Sequence, residues 1–243
     1  MAITEYFVRY LQRRDRLSDD DLGRLRAVPT RHASFNAGEV IVPAEKIGHV
    51  SCMMLRGLSA RSHSLVGRPQ ERVITALHVP GDFVDLHGFV LAGLDHSVIA
   101  VGAVEVEFID HAELTEITEN FPHLTRLLWM STLIDAAIHR QWLVAAASLR
   151  SSAHLAHLLC EIYTRLNAVG AAAGWQFSLP LLQRELADIL GYSPIHVNRA
   201  VRDLRDRGLI RWTGADVTIL DWNGLATLAR FDASYLDLER KSR

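Results

Sequence analysis

Apolar positions from residue 3 to residue 27 recur at helical spacing, with Tyr6, Phe7, Tyr10 and Leu11 in one group and Leu17, Leu22 and Leu25 in the next. Ser18 ahead of Asp19, Asp20 and Asp21 marks a helix start, because acids sit well at the positive end of a helix. The segment therefore predicts two short helices. From Arg31 to Asp110 the pattern changes to short β-rich runs at 39–42, 50–55, 72–78 and 104–109, separated by Gly38, Gly48, Gly57, Gly67, Pro80-Gly81, Gly93 and Gly102. Such spacing predicts a small barrel or β-roll.

Pro122 then opens a stretch without Gly or Pro that runs to about Ser148 and reads as one long helix. Two stripes run along it: Leu127, Met130, Ile134, Ala137, Gln141 and Val144, and Leu124, Leu128, Ser131, Asp135, Ile138 and Trp142. One can pack on the roll and the other on a partner helix, which makes Leu124, Leu127, Leu128, Ile134, Ile138 and Trp142 the candidate dimer contacts. The heptad is imperfect, so periodicity alone does not decide for or against a dimer. Another amphipathic helix spans about 152–167, with Leu155, Leu158, Leu159, Ile162 and Leu166 on one face, and a Gly/Ala-rich loop ends it.

Residues 179–210 carry the strongest signal. A helix containing Gln183, Leu186 and Ala187 meets Gly191, a residue suited to a left-handed stop; Ser193 then caps a second helix with Pro194 at its first position. On that helix Val197, Ala200, Val201 and Leu204 form a narrow buried stripe and leave Ile195, His196, Asn198, Arg199, Arg202 and Arg205 outside. Asn and Arg near the start of such a helix make bidentate contacts with base edges in a major groove, and arginines further along take phosphates. A plain amphipathic hairpin with a solvated arginine face would look similar. However, Gly208-Leu209-Ile210 and a hairpin around Gly214 follow directly, and that is the order of a winged helix-turn-helix.

Charge refines the picture. The chain carries 26 Lys+Arg against 28 Asp+Glu, a balance that on its face argues against nucleic acid. The distribution is uneven, with 14 basic and 18 acidic residues up to Leu149 and 12 against 10 beyond it. No apolar run approaches the roughly 20 residues of a membrane span, and the first residues form no signal peptide, so a cytoplasmic protein without membrane contact is expected. Cys52 and Cys160 are too few for a cysteine-only metal or iron–sulfur site. His78, His87 and His96, and the series His154, His157 and Cys160, lack a ligand spacing, and no metal or other cofactor is expected. The strings of nucleotide-fold enzymes, zinc proteases and serine hydrolases are missing, so no enzyme activity is expected.

A β-roll, a long helix and a winged helix-turn-helix in that order resemble the Crp/Fnr family of bacterial transcription regulators over nearly the whole chain. Leu55-Arg56-Gly57 and Pro80-Gly81-Asp82-Phe83 resemble the family's turn glycine and the start of its effector cassette. Leu179-Pro180, Gln183, Leu186-Ala187, Leu190-Gly191, Val197, Arg199 and Gly208-Leu209-Ile210 resemble its DNA-binding signature. The resemblance implies an α+β protein with a cyclic-nucleotide-binding-like double-stranded β-helix over 1–120, a dimerisation helix over 121–148 and a winged helix-turn-helix over 149–243. It implies a homodimer on palindromic double-stranded DNA, contact with RNA polymerase, and DNA contacts at Gln183, Ser193, Ile195, His196, Asn198, Arg199, Arg202 and Arg205.

It also implies an effector pocket at Gly81, Asp82, Phe83, Leu86, His87, His96 and Ser97. Where cyclic-AMP-binding members place a glutamate and an Arg-Ser pair, this chain has Leu86 and His96-Ser97. A neutral histidine does not replace a guanidinium fork on phosphate, so cyclic AMP is not the expected effector and its identity stays open. The recognition helix also lacks the family's usual acidic residue, since Pro194, Ile195 and His196 stand at its start. The alternative is a ligand-binding signalling module whose C-terminal domain contacts protein instead of DNA.

Overall fold

The computed structural model describes residues 5–44, 48–65 and 68–242; the expected helical position Ile3 and the turn glycine Gly67 lie outside them. The two N-terminal helices are α1 (Glu5–Gln12) and α2 (Asp19–Ala27). Ser18 and Asp21 close a reciprocal cap: the Ser18 hydroxyl accepts from the Asp21 amide at 3.1 Å, and the Asp21 carboxylate accepts from the Ser18 amide at 2.9 Å.

Five strands follow: β1 (Arg31–Phe35), β2 (Val40–Val42), β3 (Val50–Leu65), β4 (Arg68–His78) and β5 (Ser97–Asp110). They pair antiparallel in the order β1-β5-β3-β4, with β2 also on β5. The expected short strands are in part long ones that bend: β3 and β5 run for 16 and 14 residues, and their register breaks around Arg56. Gly57 permits the bend. Its φ is +80°, and a Cβ there would stand 2.5 Å from the Ala103 carbonyl. The bent strands curl around a core of Ile41, Cys52, Met54, Val84, Val98, Ala100, Val104 and Val106.

Three helices leave the roll: α3 (His111–Asn120), α4 (Pro122–Ser148) and α5 (Ser151–Ala168). The C-terminal part continues with β6 (Gln176–Ser178), α6 (Gln183–Leu190), α7 (Pro194–Asp206), β7 (Ile210–Thr213), β8 (Asp216–Ile219) and α8 (Trp222–Ala229). Strands β6, β8 and β7 form a small antiparallel sheet, and a 3-10 turn at Ala233–Leu236 follows α8. The chain end then returns to its beginning. Leu236 is buried with Phe7 and Leu11, its carbonyl accepts from Arg14 at 3.0 Å, and Arg240 donates to the Gln12 carbonyl at 3.0 Å.

The expected dimer contacts on α4 need correction. Leu124, Leu127, Leu128, Ile134 and Ile138 are buried inside the chain itself, in one core with Phe7, Leu11, Leu25, Leu114 and Ile117, and Trp142 is partly buried. Apart from Val144 at the end of the first, both expected stripes therefore serve the chain's own packing. The apolar residues that α4 leaves uncovered are Trp129 (66% exposed), Leu133 (56%), Leu143 (72%) and Val144 (54%).

The three-part division of the chain does not correspond to three separate cores. Leu58, Ala60, Leu77, Val79, Ile99 and Val101 of the roll join Leu155, Leu159, Leu186, Ile189 and Leu190 of the C-terminal part in a single cluster. A buried polar network crosses the same seam. Arg165 on α5, 7% exposed, donates to Asp82 at 2.6 Å, to the Leu77 carbonyl at 3.0 Å and to Glu161 at 3.1 Å. Glu161, fully buried, also accepts from the Trp142 indole at 3.1 Å and the Tyr235 hydroxyl at 2.8 Å. Burial works against the charge on Arg165, but Asp82 and Glu161 outweigh it and hold its pKa above the ordinary value.

Replacing Arg165 by Met leaves two carboxylates buried without their cation. Denaturant unfolding should show a loss of about 3–5 kcal/mol, where an exposed ion pair would cost about 1 kcal/mol or less.

Candidate nucleic-acid interface

The helix-turn-helix is set by a few local constraints. Gly191 ends α6 in the left-handed region (φ 68°, ψ 29°), and the Tyr192 amide bonds back to the Ala187 carbonyl at 3.2 Å. Ser193 caps α7, its hydroxyl accepting from the His196 amide at 3.4 Å and lying 2.8 Å from His196 Nδ1, and Pro194 takes the first helical position. Val197, Ala200 and Leu204 are buried as expected, whereas Val201 is only partly so. On the opposite side Ile195, His196, Asn198, Arg199, Arg202 and Arg205 are exposed, as is Gln183 at the start of α6.

The exposed residues do not all do the same thing. Asn198 Nδ2 donates to Gln183 Oε1 at 2.8 Å, a bond that ties α7 to α6 and leaves both amides edge-on at the surface. Arg205 donates to the Trp212 carbonyl on β7 and so holds the wing against α7. Among the described residues, Arg199 and Arg202 make no hydrogen bond or ion pair within the chain, and their guanidinium forks are available to an outside partner. The wing itself turns at Gly214 (φ +60°), steadied by the Trp212 indole on the Gly214 carbonyl at 3.1 Å, and carries Arg211 and Thr213 outward. Sequence reading placed Arg205 among the DNA contacts because it shares the face; its tie to a wing carbonyl could not be seen in a helical projection.

Residues 153–228 match the model of the Crp-like helix-turn-helix domain. The transcriptional activator protein FnrA of Stutzerimonas stutzeri is 26% identical over 211 residues, covering 87% of this chain and 82% of that protein. The transcriptional activator protein anr of Pseudomonas aeruginosa is 26% identical over 214 residues, covering 88% and 86%. FixK2 from Bradyrhizobium japonicum superposes with a TM-score of 0.73 at 20% identity, over 85% of this chain and the whole of the other. The C-terminal part is thus a Crp-like helix-turn-helix domain, and over most of its length the chain is similar to Crp/Fnr-family regulators. It is a DNA-binding transcription regulator, and the alternative of a C-terminal module for protein contacts is not favoured.

In this regulator the residues expected at an effector pocket divide into two groups. Gly81, Asp82, Phe83, Leu86 and His87 line a cavity between the roll, α1, α4 and α5, but the free space is only about 40 Å³, against roughly 300 Å³ or more for most small-molecule sites. Asp82 is committed to Arg165, and Phe83 stacks edge-on against Phe7 at 5.1 Å. Gly81 (φ +91°) lets the α1 backbone approach, since a Cβ there would lie 2.9 Å from the Tyr6 carbonyl. His96 and Ser97 do not line the cavity. His96 Nδ1 lies 2.7 Å from Asp95, and the Ser97 hydroxyl accepts from the Ala44 amide at 3.0 Å.

Arg61, which sequence reading did not single out, fills the mouth of the roll. It is buried, reaches His139 Nε2 at 2.6 Å and Asp135 at 3.1 Å on α4, and so joins β3 to the long helix. His78 and Ser59 pair at 3.0 Å beneath it, and the His96 ring lies 5.4 Å from His63 and 5.2 Å from His87. Among the described residues no group of three or more His, Cys, Asp or Glu is placed to hold a metal ion, and no helix is long and apolar enough to cross a membrane. His154, His157 and Cys160 are packing residues: His154 stacks edge-on with Tyr192, His157 meets Phe231 and Tyr235, and Cys160 is a buried free thiol.

Burial, aided by Arg61, pushes His78 well below the usual imidazole range and His87 down to about 4; burial also lowers His96 and His139, and holds His154 near 4. His78 Nε2 and His96 Nε2 are buried with no hydrogen-bond partner, so a second proton there would be stranded. The unfolded chain protonates these rings near pH 6.5, so their contribution to stability falls as pH drops from that value towards 4. Three groups oppose this trend. Burial pushes Asp85 up to about 7 and, against the pull of Arg165, raises Asp82 above the usual carboxylate value, and His123 is raised because Asp21 and Asp15 outweigh its burial; all three favour the fold at the acid end of the range. The lowered imidazoles outnumber them, so the thermal midpoint should be lower at pH 5 than at pH 7. An equal or higher midpoint at pH 5 would mean that the cluster is charged in the folded protein.

Proposed function

We propose that this regulator acts in the cytoplasm as a homodimer on twofold-symmetric promoter sites, with the α7 of each protomer in successive major grooves. The observation that carries the proposal is the row of exposed groups on α7, with the Arg199 and Arg202 guanidinium groups unengaged and Ile195, His196 and Asn198 beside them. Arg199 takes a guanine edge, Arg202 a phosphate, and the Asn198–Gln183 pair a base or phosphate at the junction of the two helices. Arg205 acts at one remove by positioning the wing. The relatives named as transcriptional activators support contact with RNA polymerase as the route to the gene.

The uncovered face of α4 supports the dimer. Trp129, Leu133, Ala136, Arg140, Leu143 and Ala147 recur at alternating steps of four and three residues, the spacing of a coiled-coil seam. On a helix of 27 residues the large exposed members of that line have no cover within the chain. Two copies packed on this face would bury it and fix the separation of two recognition helices.

Arg199→Ala should weaken binding to the preferred operator by about 1–3 kcal/mol and relax base preference at one position of each half-site. Arg202→Ala should weaken binding to all sequences alike and flatten the salt dependence. Titrations of operator and scrambled duplexes at two salt concentrations separate the two outcomes, and unchanged binding by both variants would remove α7 from the interface.

A further inference from the structure

One large apolar side chain stands among the donors of α7. Ile195 is 64% exposed and occupies the first turn of the helix, the part that meets base edges when such a helix lies in a major groove. Pro194 before it and the Ser193 cap around it fix the backbone of that turn, and a β-branched side chain in a helix holds essentially one rotamer. Its side chain is therefore presented in a set position. Asn198, Arg199 and Arg202 follow at three, four and seven residues, on the same face.

At about 1.5 Å of rise per residue, Ile195 sits about 6 Å before Arg199 along the helix, and base pairs are spaced by about 3.4 Å. The two side chains consequently address base pairs one or two steps apart. The acids of α7, Asp203 and Asp206, lie in its C-terminal half, so no carboxylate at the first turn can accept a proton from a cytosine amino group. A base edge in the major groove offers an isoleucine one apolar group, the C5 methyl of thymine.

We propose that Ile195 reads a thymine methyl one or two base pairs from the guanine held by Arg199. The half-site then depends on a T·A pair at that step, and the dependence is on the methyl group itself. This rests on α7 being the DNA-reading helix, and extends it to the base chemistry of a position that the hydrogen-bonding residues leave unread.

The test uses the full-length protein and the duplex it enriches from a random library. Each thymine of one half-site is replaced in turn by uracil, which removes the methyl and keeps the pairing. The expected result is one thymine at which uracil lowers affinity about fourfold, the worth of one buried methyl group. With Ile195→Ala the same replacement should have no effect, and at that step 5-methylcytosine·G should bind the wild type more tightly than C·G. Indifference to uracil at every thymine, or equal sensitivity in Ile195→Ala, would overturn the proposal while leaving α7 as the reading helix. Failure to enrich any sequence would overturn the reading by α7, and this proposal with it.

Discussion

Arg165 carries a full charge into the middle of the protein, and four parts of the chain meet on it. The roll contributes Asp82 and the Leu77 carbonyl, α5 contributes Glu161, α4 reaches Glu161 through Trp142, and the turn after α8 reaches it through Tyr235. A charge pair of this kind adds little net stability over an apolar equivalent, because both ions are stripped of water, but it is costly to leave half-made. Its effect here is to exclude arrangements in which the winged helix drifts from the roll, since drift would part Arg165 from Asp82 and leave that carboxylate without its cation. The apolar seam of Leu58, Leu77 and Val101 with Leu155, Leu186 and Leu190 supplies the attraction, and the network supplies the register.

That register decides what faces outward. With α5 and α6 held on the roll, α7 presents Ile195, Asn198, Arg199 and Arg202 to solvent, while on α4 the residues left over are Trp129, Leu133, Leu143 and Val144. The near-neutral overall charge is no obstacle to DNA binding under this arrangement. Residues 183–211 carry six arginines against four acids, and placement, more than bulk charge, determines which partner is met.

Much of the DNA-binding part was legible in sequence because its constraints are local. A glycine at a left-handed stop, Ser193-Pro194 at a helix start and the stripe of Val197, Ala200 and Leu204 each act within a few residues. The long helix and the general course of the roll were legible for the same reason. Strand β1 was not, since the run from Arg31 to Phe35 has no clean alternation, and the full length of β3 and β5 was hidden by glycines that bend a strand instead of ending it. The face of α4 was misread because periodicity shows that a stripe is apolar without showing what covers it. The strong stripes went to the chain's own core, and the outward one is diluted by Ala136, Arg140 and Ala147. Asp82 was read as an effector residue from its motif; its partner lies 83 residues away, beyond the reach of any local pattern.

The proposed mode of action requires two α7 helices held a fixed distance apart by α4 of paired protomers. Hydroxyl-radical footprinting of the full-length protein on a duplex enriched from random sequence tests this most directly. The predicted result is two protected segments related by twofold symmetry, with centres about one helical turn, or 10 base pairs, apart. A single protected segment without a symmetric partner would contradict it.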